Sequence, residues 1–187
     1  SRGLGDVYKR QMPVRAFLCA LAVTGCLLPG MAEAKTEYGP GASATGTASV
    51  AVGDDAKAAA VNSSAYGLKS KALSSHSVAI GNEASVGKGD PDPESSQNGI
   101  AIGHGANVTV NPATATPGIT DKSGGIAIGH NATTKDINTV ALGTGTVGQG
   151  AQAVAIGRNA HTDGNNTVAI GNNTWVRSTN GFALGNE

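Results

Sequence analysis

Cysteine is nearly absent from this sequence. Cys19 and Cys26 are the only two among 187 residues, and both fall in an N-terminal apolar stretch, so disulfides cannot staple the remainder together. Aromatic residues make up 3% of the chain and charged residues 14%, against about 25% charged in ordinary soluble domains. A core built on large rings is therefore not expected. Formal net charge is zero, with 13 basic and 13 acidic residues spread thinly, which leaves no basic stripe to neutralise phosphates and no acidic tail. Nucleic acid is thus excluded as an expected partner. What the sequence has in abundance is glycine, 28 residues, roughly twice the usual share of about 7%. The length suggests one domain.

The first 34 residues read differently from the rest. Residues 1–11 precede a methionine and share no pattern with the remainder of the chain, so they are read as a non-native leader. From Met12, Arg15 supplies an n-region charge, Ala16 to Leu28 are mainly apolar, and Ala32-Glu33-Ala34 fits a small-x-small cleavage site. Residues 12–34 are therefore expected to be a secretory signal peptide. Their apolar run falls short of the roughly 20 residues that span a bilayer. A second reading takes Val23-Thr24-Gly25-Cys26 as resembling a lipoprotein lipobox, with Cys26 lipidated. Both readings export the protein. Removing residues 1–34 takes away Arg2, Lys9, Arg10, Arg15, Asp6 and Glu33, leaving nine basic and eleven acidic residues, a net charge of −2.

The remainder is a repeat. The glycine of a V-A-I-G phrase recurs at Gly53, Gly67, Gly81, Gly103, Gly129, Gly143, Gly157, Gly171 and Gly185, with Gly39 as a degenerate first copy; successive spacings are 14, 14, 14, 22, 26, 14, 14, 14 and 14 residues. The two long intervals are the same unit carrying eight and twelve extra residues. Alanine stands two before the glycine in all nine full copies, a large apolar residue stands just before it, and a small residue stands three after it. The repeating positions Val50, Ala51, Val52, Val78, Ala79, Ile80, Ile100, Ala101, Ile102, Ile126, Ala127, Ile128, Val154, Ala155, Ile156, Val168, Ala169 and Ile170 are expected to form the structural core of the repeat, with the glycines as its turns.

Short runs rich in Val and Ile, ended by Gly and then Asn or Asp, read as strands entering turns. Spacing and glycine content exclude a helix. Each 14-residue unit then holds two short strands and two turns, and about ten units stack at roughly 4.8 Å so that equivalent residues form ladders, in a body roughly 50 Å tall. One strand face is a Val/Ile ladder and the other an unbroken alanine ladder. Both are expected to be buried, although a thin roll has only one interior. The second face therefore calls for another copy of the chain, an obligate homo-oligomer, with the assignment of ladders to interior and interface left open.

These phrases resemble the head repeat of trimeric autotransporter adhesins, the YadA-like head, whose consensus lies near N-S-V-A-I-G-x-x-S. The matching stretches are His76 to Ala84 (HSVAIGNEA), Asn138 to Gly143 (NTVALG), Ala153 to Ala160 (AVAIGRNA) and Asn166 to Thr174 (NTVAIGNNT), within a resemblance covering residues 36 to 187. The resemblance implies an all-β, left-handed parallel β-roll of 14-residue coils, assembled as a homotrimer and displayed on the outer membrane of a Gram-negative bacterium. It further implies attachment to extracellular-matrix proteins such as collagen, fibronectin or laminin, or to other bacterial cells, with no cofactor and no enzymatic activity. The sequence shows no heptad stalk or barrel anchor before it stops at Glu187 inside a repeat. Either the chain is a fragment or its surface attachment rests on something else.

Catalytic readings are weaker. Ile80 to Val86 and Ile102 to Val108 resemble the hexapeptide units of left-handed β-helix acyltransferases, trimers that use a histidine base, but hexapeptide coils have 18 residues and the phrasing lapses after one or two hexads. His104 and His130 follow the repeat glycine in neighbouring coils and would stand one ladder step apart, in reach of a shared metal ion. No acidic or cysteine residue shares their register, which favours solvated turn histidines. No Ser-His-Asp set assembles, calcium-binding nonapeptides are absent, and no flat threonine array suggests ice binding.

Candidate ligand-binding residues fall in two places. The longer intervals interrupt the return from the second strand to the next V-A-I-G strand and carry Lys88, Asp90, Asp92, Glu94, Asp121 and Lys122. Threefold symmetry would make a belt of six such loops, although proline and charge in loops are also ordinary edge protection. The second place is the polar outer ladder of the regular coils, with Asp54, Lys57, Lys69, Lys71, Arg158, Asn159 and Asn173, where weak contacts repeated on three chains would gain avidity. Trp175, the only tryptophan, reads either as a binding anchor or as a cover for the end of the roll. An exported structural β-solenoid without adhesive role is the alternative function.

Overall fold

Each repeat closes into one coil, because a strand that ends on a glycine turn can reverse direction within a few residues. A computed structural model describes residues 35–87, 97–109 and 124–186. The chain divides into two units, Ser1–Ala32 and Glu33–Glu187, and every described residue belongs to the second. Residues 1–34, expected to be a leader and a signal peptide, lie outside the described residues. Three-residue strands end at the repeat glycines, as at Val50–Val52, Val78–Ile80 and Val168–Ile170, and two-residue strands follow four residues after them, as at Lys57–Ala58, Ser85–Val86 and Trp175–Val176.

The first kind of strand stacks into a parallel ten-stranded sheet from Thr36–Tyr38 to Phe182–Leu184, and the second into a parallel nine-stranded sheet from Ser43–Ala44 to Trp175–Val176. The result is an all-β parallel solenoid of nine complete coils and the first strand of a tenth, slightly short of ten full turns. Pairing is in register across both longer intervals: Ala79 lies beside Ala101, Ala101 beside Ala127, and Ala127 beside Ala141. The extra residues are accommodated without breaking the ladder. Ten strands at about 4.8 Å give a height of roughly 43 Å.

The two ladders have opposite fates. Ala51, Ala65, Ala79, Ala101, Ala127, Ala141, Ala155 and Ala169 are all 0% exposed and line the interior. From the facing sheet come Ala58, Ala72, Val86, Val108, Thr134, Thr162 and Val176, also buried. The core of the single chain is thus narrower than the repeat suggests. Of the expected core residues only the alanines are inside; Val50, Val52, Val78, Ile100, Ile102, Ile126, Val154, Ile156, Val168 and Ile170 are half-buried, and Ile80 and Ile128 are 39% and 38% exposed. Adjacent residues of a strand point to opposite faces, so a sheet that turns its alanines inward turns its Val/Ile ladder outward. Small inward residues are what allow two sheets to close within a 14-residue coil.

Two details hold the turns. The repeat glycines have φ far outside the range open to L side chains, for example +127° at Gly81, where an added Cβ would stand 2.6 Å from the carbonyl oxygen of Gly103 in the next coil. Two residues later, and again before the next first-sheet strand, the backbone enters the left-handed region, in most coils on a non-glycine residue at φ between 51° and 58°, as at Asp55, Glu83, Asn138, Asn159 and Asn166. Asparagine and aspartate tolerate that conformation better than other residues do, and asparagine fills most of these places. Buried hydroxyls then satisfy turn carbonyls inside the roll: Ser49 donates to Gly46 O at 2.6 Å, Ser63 to Ala60 O at 2.7 Å and Thr167 to Gly164 O at 2.7 Å. These bonds offset the cost of burying those hydroxyls.

Candidate functional site

The outer face of the ten-stranded sheet is a continuous apolar stripe. Two columns run along it, Val50, Ser64, Val78, Ile100, Ile126, Val140, Val154 and Val168 beside Val52, Tyr66, Ile80, Ile102, Ile128, Leu142, Ile156 and Ile170. These half-buried and exposed side chains form one contiguous patch on the sheet face, of the kind that marks an interaction surface. All-parallel sheets occur almost only with both faces covered. In the single chain only the alanine face is.

The nine-stranded sheet presents a polar outer column instead: Ser43, Lys57, Lys71, Ser85, Asn107, Thr133, Val147, His161 and Trp175. At its C-terminal end four side chains from two adjacent coils form a network. His161 Nε2 lies 2.7 Å from Asp163 Oδ1, and Trp175 Nε1 donates to Asp163 Oδ2 at 2.9 Å. The His161 and Trp175 rings are tilted at 39° with centroids 4.9 Å apart, and the Arg177 guanidinium lies 4.0 Å above the tryptophan ring. Burial alone would raise the Asp163 carboxyl, but the hydrogen bonds from Trp175 and His161 and the charges of His161 and Arg177 outweigh it and hold the group below its ordinary value. The tryptophan, 51% exposed, is bound on one ring face by Arg177 and against the other coil by His161. The geometry makes it a rivet between the last coils.

Among the sequence-derived ligand candidates, Arg158, Asn159 and Asn173 lie on the turns after the first-sheet strands. Arg158 Nε donates to Asn172 Oδ1 at 2.9 Å and Asn159 Nδ2 to Asn173 Oδ1 at 3.1 Å, each linking one coil to the next. Each commits a polar atom to these ladders, and Asn159 and Asn173 are also left-handed turn residues. Lys88, Asp90, Asp92, Glu94, Asp121 and Lys122 lie outside the described residues. The flanking strands, Ser85–Val86 before one segment and Asn107–Val108 before the other, pair with each other, so both segments leave the same edge of adjacent coils. His104 and His130 stack with rings 5.1 Å apart and 10° from parallel, as one ladder step requires. Among the described residues no group of three or more His, Cys, Asp or Glu is placed to hold a metal ion, and no helix is long and apolar enough to cross a membrane.

The turn ladders and the hydroxyl column were not singled out in the sequence. The signal was there, in the asparagine that recurs before five of the first-sheet strands (Asn62, Asn98, Asn138, Asn166 and Asn180) and in the Ser or Thr directly before five of them (Ser49, Ser63, Ser77, Thr139 and Thr167).

A parallel β-solenoid with an alanine inner ladder and a mainly Val/Ile outer face on its first sheet defines a class of repeat protein. The YadA head domain repeat matches residues 44–70, 58–84, 122–146, 149–174 and 164–187, more than half of the chain. The chain belongs to that family of repeats, a family of structural adhesin domains and not of enzymes. No curated protein matches the sequence.

Proposed function

We propose that the protein is the head of a trimeric surface adhesin of a Gram-negative bacterium, a left-handed β-roll that attaches cells to extracellular matrix such as collagen, fibronectin or laminin, or to other bacteria. The observation that carries the reading is the bare apolar face of the first sheet. A single chain leaves it in water, whereas three chains side by side cover it and satisfy the rule that parallel sheets are covered on both faces. The signal segment at 12–34 supports export. With the first sheet occupied by assembly, ligands are left the polar outer column of the second sheet and the two segments around 88–94 and 121–122, whose charged residues are Lys88, Asp90, Asp92, Glu94, Asp121 and Lys122. Three copies of a shallow site bind by avidity rather than through a deep pocket.

The test joins a trimeric coiled coil after Glu187 and measures saturable binding to collagen, fibronectin, laminin and bacterial cells, beside a version with both longer intervals trimmed to the 14-residue period. Binding lost on trimming places the site in the loops. A folded trimer that binds none of these surfaces refutes adhesion and leaves an exported structural solenoid. Ile80→Asp puts a charge on the apolar stripe without entering the alanine core, and in the chain lacking the coiled coil it is expected to give a folded monomer by light scattering.

A further inference from the structure

A ladder of near-identical rungs has a register problem. If three copies associate through Val and Ile columns that repeat every coil, a neighbour displaced by one coil makes almost the same contacts and loses only one of ten rungs. Such displacement does not close on itself around a threefold axis and leads to open, staggered assemblies. Something irregular must distinguish the closed register.

Within the described stripe one interior rung is irregular. Between Val50 and Val78 the first column holds Ser64, and between Val52 and Ile80 the second holds Tyr66. Both side chains point outward: the alanine between them is fully buried, Ser64 is half-buried and Tyr66 is 40% exposed. Around a threefold axis each rung meets the same rung of its neighbours. The hydroxyls of three serines and three tyrosines then meet in one layer, where they can hydrogen-bond to one another. Displaced by one coil, they face Val50 and Val52 or Val78 and Ile80, which offer no polar side chain, and buried hydroxyls are left unpaired.

We infer that the Ser64–Tyr66 rung is the register key of the assembly, a polar layer kept at some cost in apolar contact because it selects the closed trimer over staggered alternatives. A single polar position in a coiled-coil seam sets register in the same way. The inference rests on the trimeric reading and adds to it which rung selects the register. The first strand carries a second irregular pair, Thr36 and Tyr38, at the end of the stripe, so any displacement also moves that pair against apolar residues or off the stack, except a two-coil shift that sets it against Ser64 and Tyr66.

The experiment uses the full chain with p-benzoylphenylalanine replacing Ile80, photo-cross-linked and mapped by mass spectrometry, with mass in solution followed by light scattering. In the otherwise unchanged protein, cross-links fall on the neighbour's own rung, 78–80, in a species of three chains. In Ser64→Val/Tyr66→Ile, and more fully when Thr36→Val and Tyr38→Ile are added, cross-links to the adjacent rungs 64–66 and 100–102 are expected at a share comparable with the in-register ones, together with assemblies larger than three chains. Adding Val140→Ser/Leu142→Tyr, which moves the polar layer to another rung, is expected to restore one register. A single register in all variants overturns the key and leaves the trimer standing. A single-chain mass with no cross-links in the unchanged protein overturns the trimeric reading itself.

Discussion

The repeat glycine is the residue whose replacement the geometry condemns most clearly, and Gly81→Ala tests it. At φ +127° alanine enters a region that costs about 2 to 3 kcal/mol for a residue with a Cβ. The new Cβ stands 2.6 Å from Gly103 O, where ordinary contact begins at 3.4 Å, so the next coil must move by at least 0.8 Å. That displacement breaks the adjacent bond from Gly103 N to Ile80 O, now 2.8 Å, for about 1 kcal/mol more. The expected loss is about 3 to 4 kcal/mol, large for a single methyl group. Two residues along the same turn, Glu83 sits at φ 58°, a region open to ordinary residues at modest cost, and Glu83→Ala is expected to change stability by less than about 1 kcal/mol. Urea unfolding followed by far-UV circular dichroism compares the two. If Gly81→Ala costs no more than Glu83→Ala, neither the backbone conformation nor the close approach of coils limits this position, and the account of the turn is wrong.

Three further outcomes rest on particular residues. Ala48 has φ 53° and heads a column otherwise filled mainly by asparagine; Ala48→Asn is expected to raise stability by roughly 0.5 kcal/mol in the same assay. Thr134 is fully buried, and its Oγ1 has no hydrogen-bond partner among the described residues, so Thr134→Val is expected to stabilise by about 1 kcal/mol, and a loss would mean that the hydroxyl is satisfied. The depressed Asp163 carboxyl contributes stability that is present above the ordinary carboxylate pKa and is lost as pH falls through its lower folded value. Asp163→Asn is expected to remove that acid-side dependence, read as melting temperature between pH 5 and pH 2, while the remaining pH profile is unchanged; because the side chain is 30% exposed, the effect is that of a screened surface pair.

The coil length, the two strands per unit and the in-register crossing of both longer intervals were legible because a 14-residue period with a fixed glycine leaves few ways to close a turn. Which ladder faced inward was not legible, since alanine and valine are both plausible core residues. What decides is volume: a coil this short can enclose Ala51 and Ala58 but not two facing columns of isoleucine. The binding candidates were less legible for a different reason. Asn159 and Asn173 read as exposed polar residues available to a ligand, and the structure shows them tied to each other as turn ladders. A residue required by the backbone and a residue required by a ligand look alike in one sequence. The Trp175 network escaped for lack of proximity along the chain, since His161 and Trp175 become neighbours only through the stacking of coils.

The division of faces also constrains where function can evolve. In a stack where each coil contacts only its neighbours, a residue facing inward is limited by the alanine-sized interior, and one on the first sheet's outer face belongs to the apolar stripe. Turns after the first-sheet strands are limited by left-handed backbone and by coil-to-coil hydrogen bonds. The outer column of the second sheet carries none of these demands, and in the return they fall on the last residues before the strand, as at Asn166. Serine, lysine, asparagine, threonine, valine, histidine and tryptophan all occur in that outer column, whereas the inner column of the first sheet is alanine in every regular coil. Both longer intervals fall in the return. Variation is concentrated where the fold tolerates it.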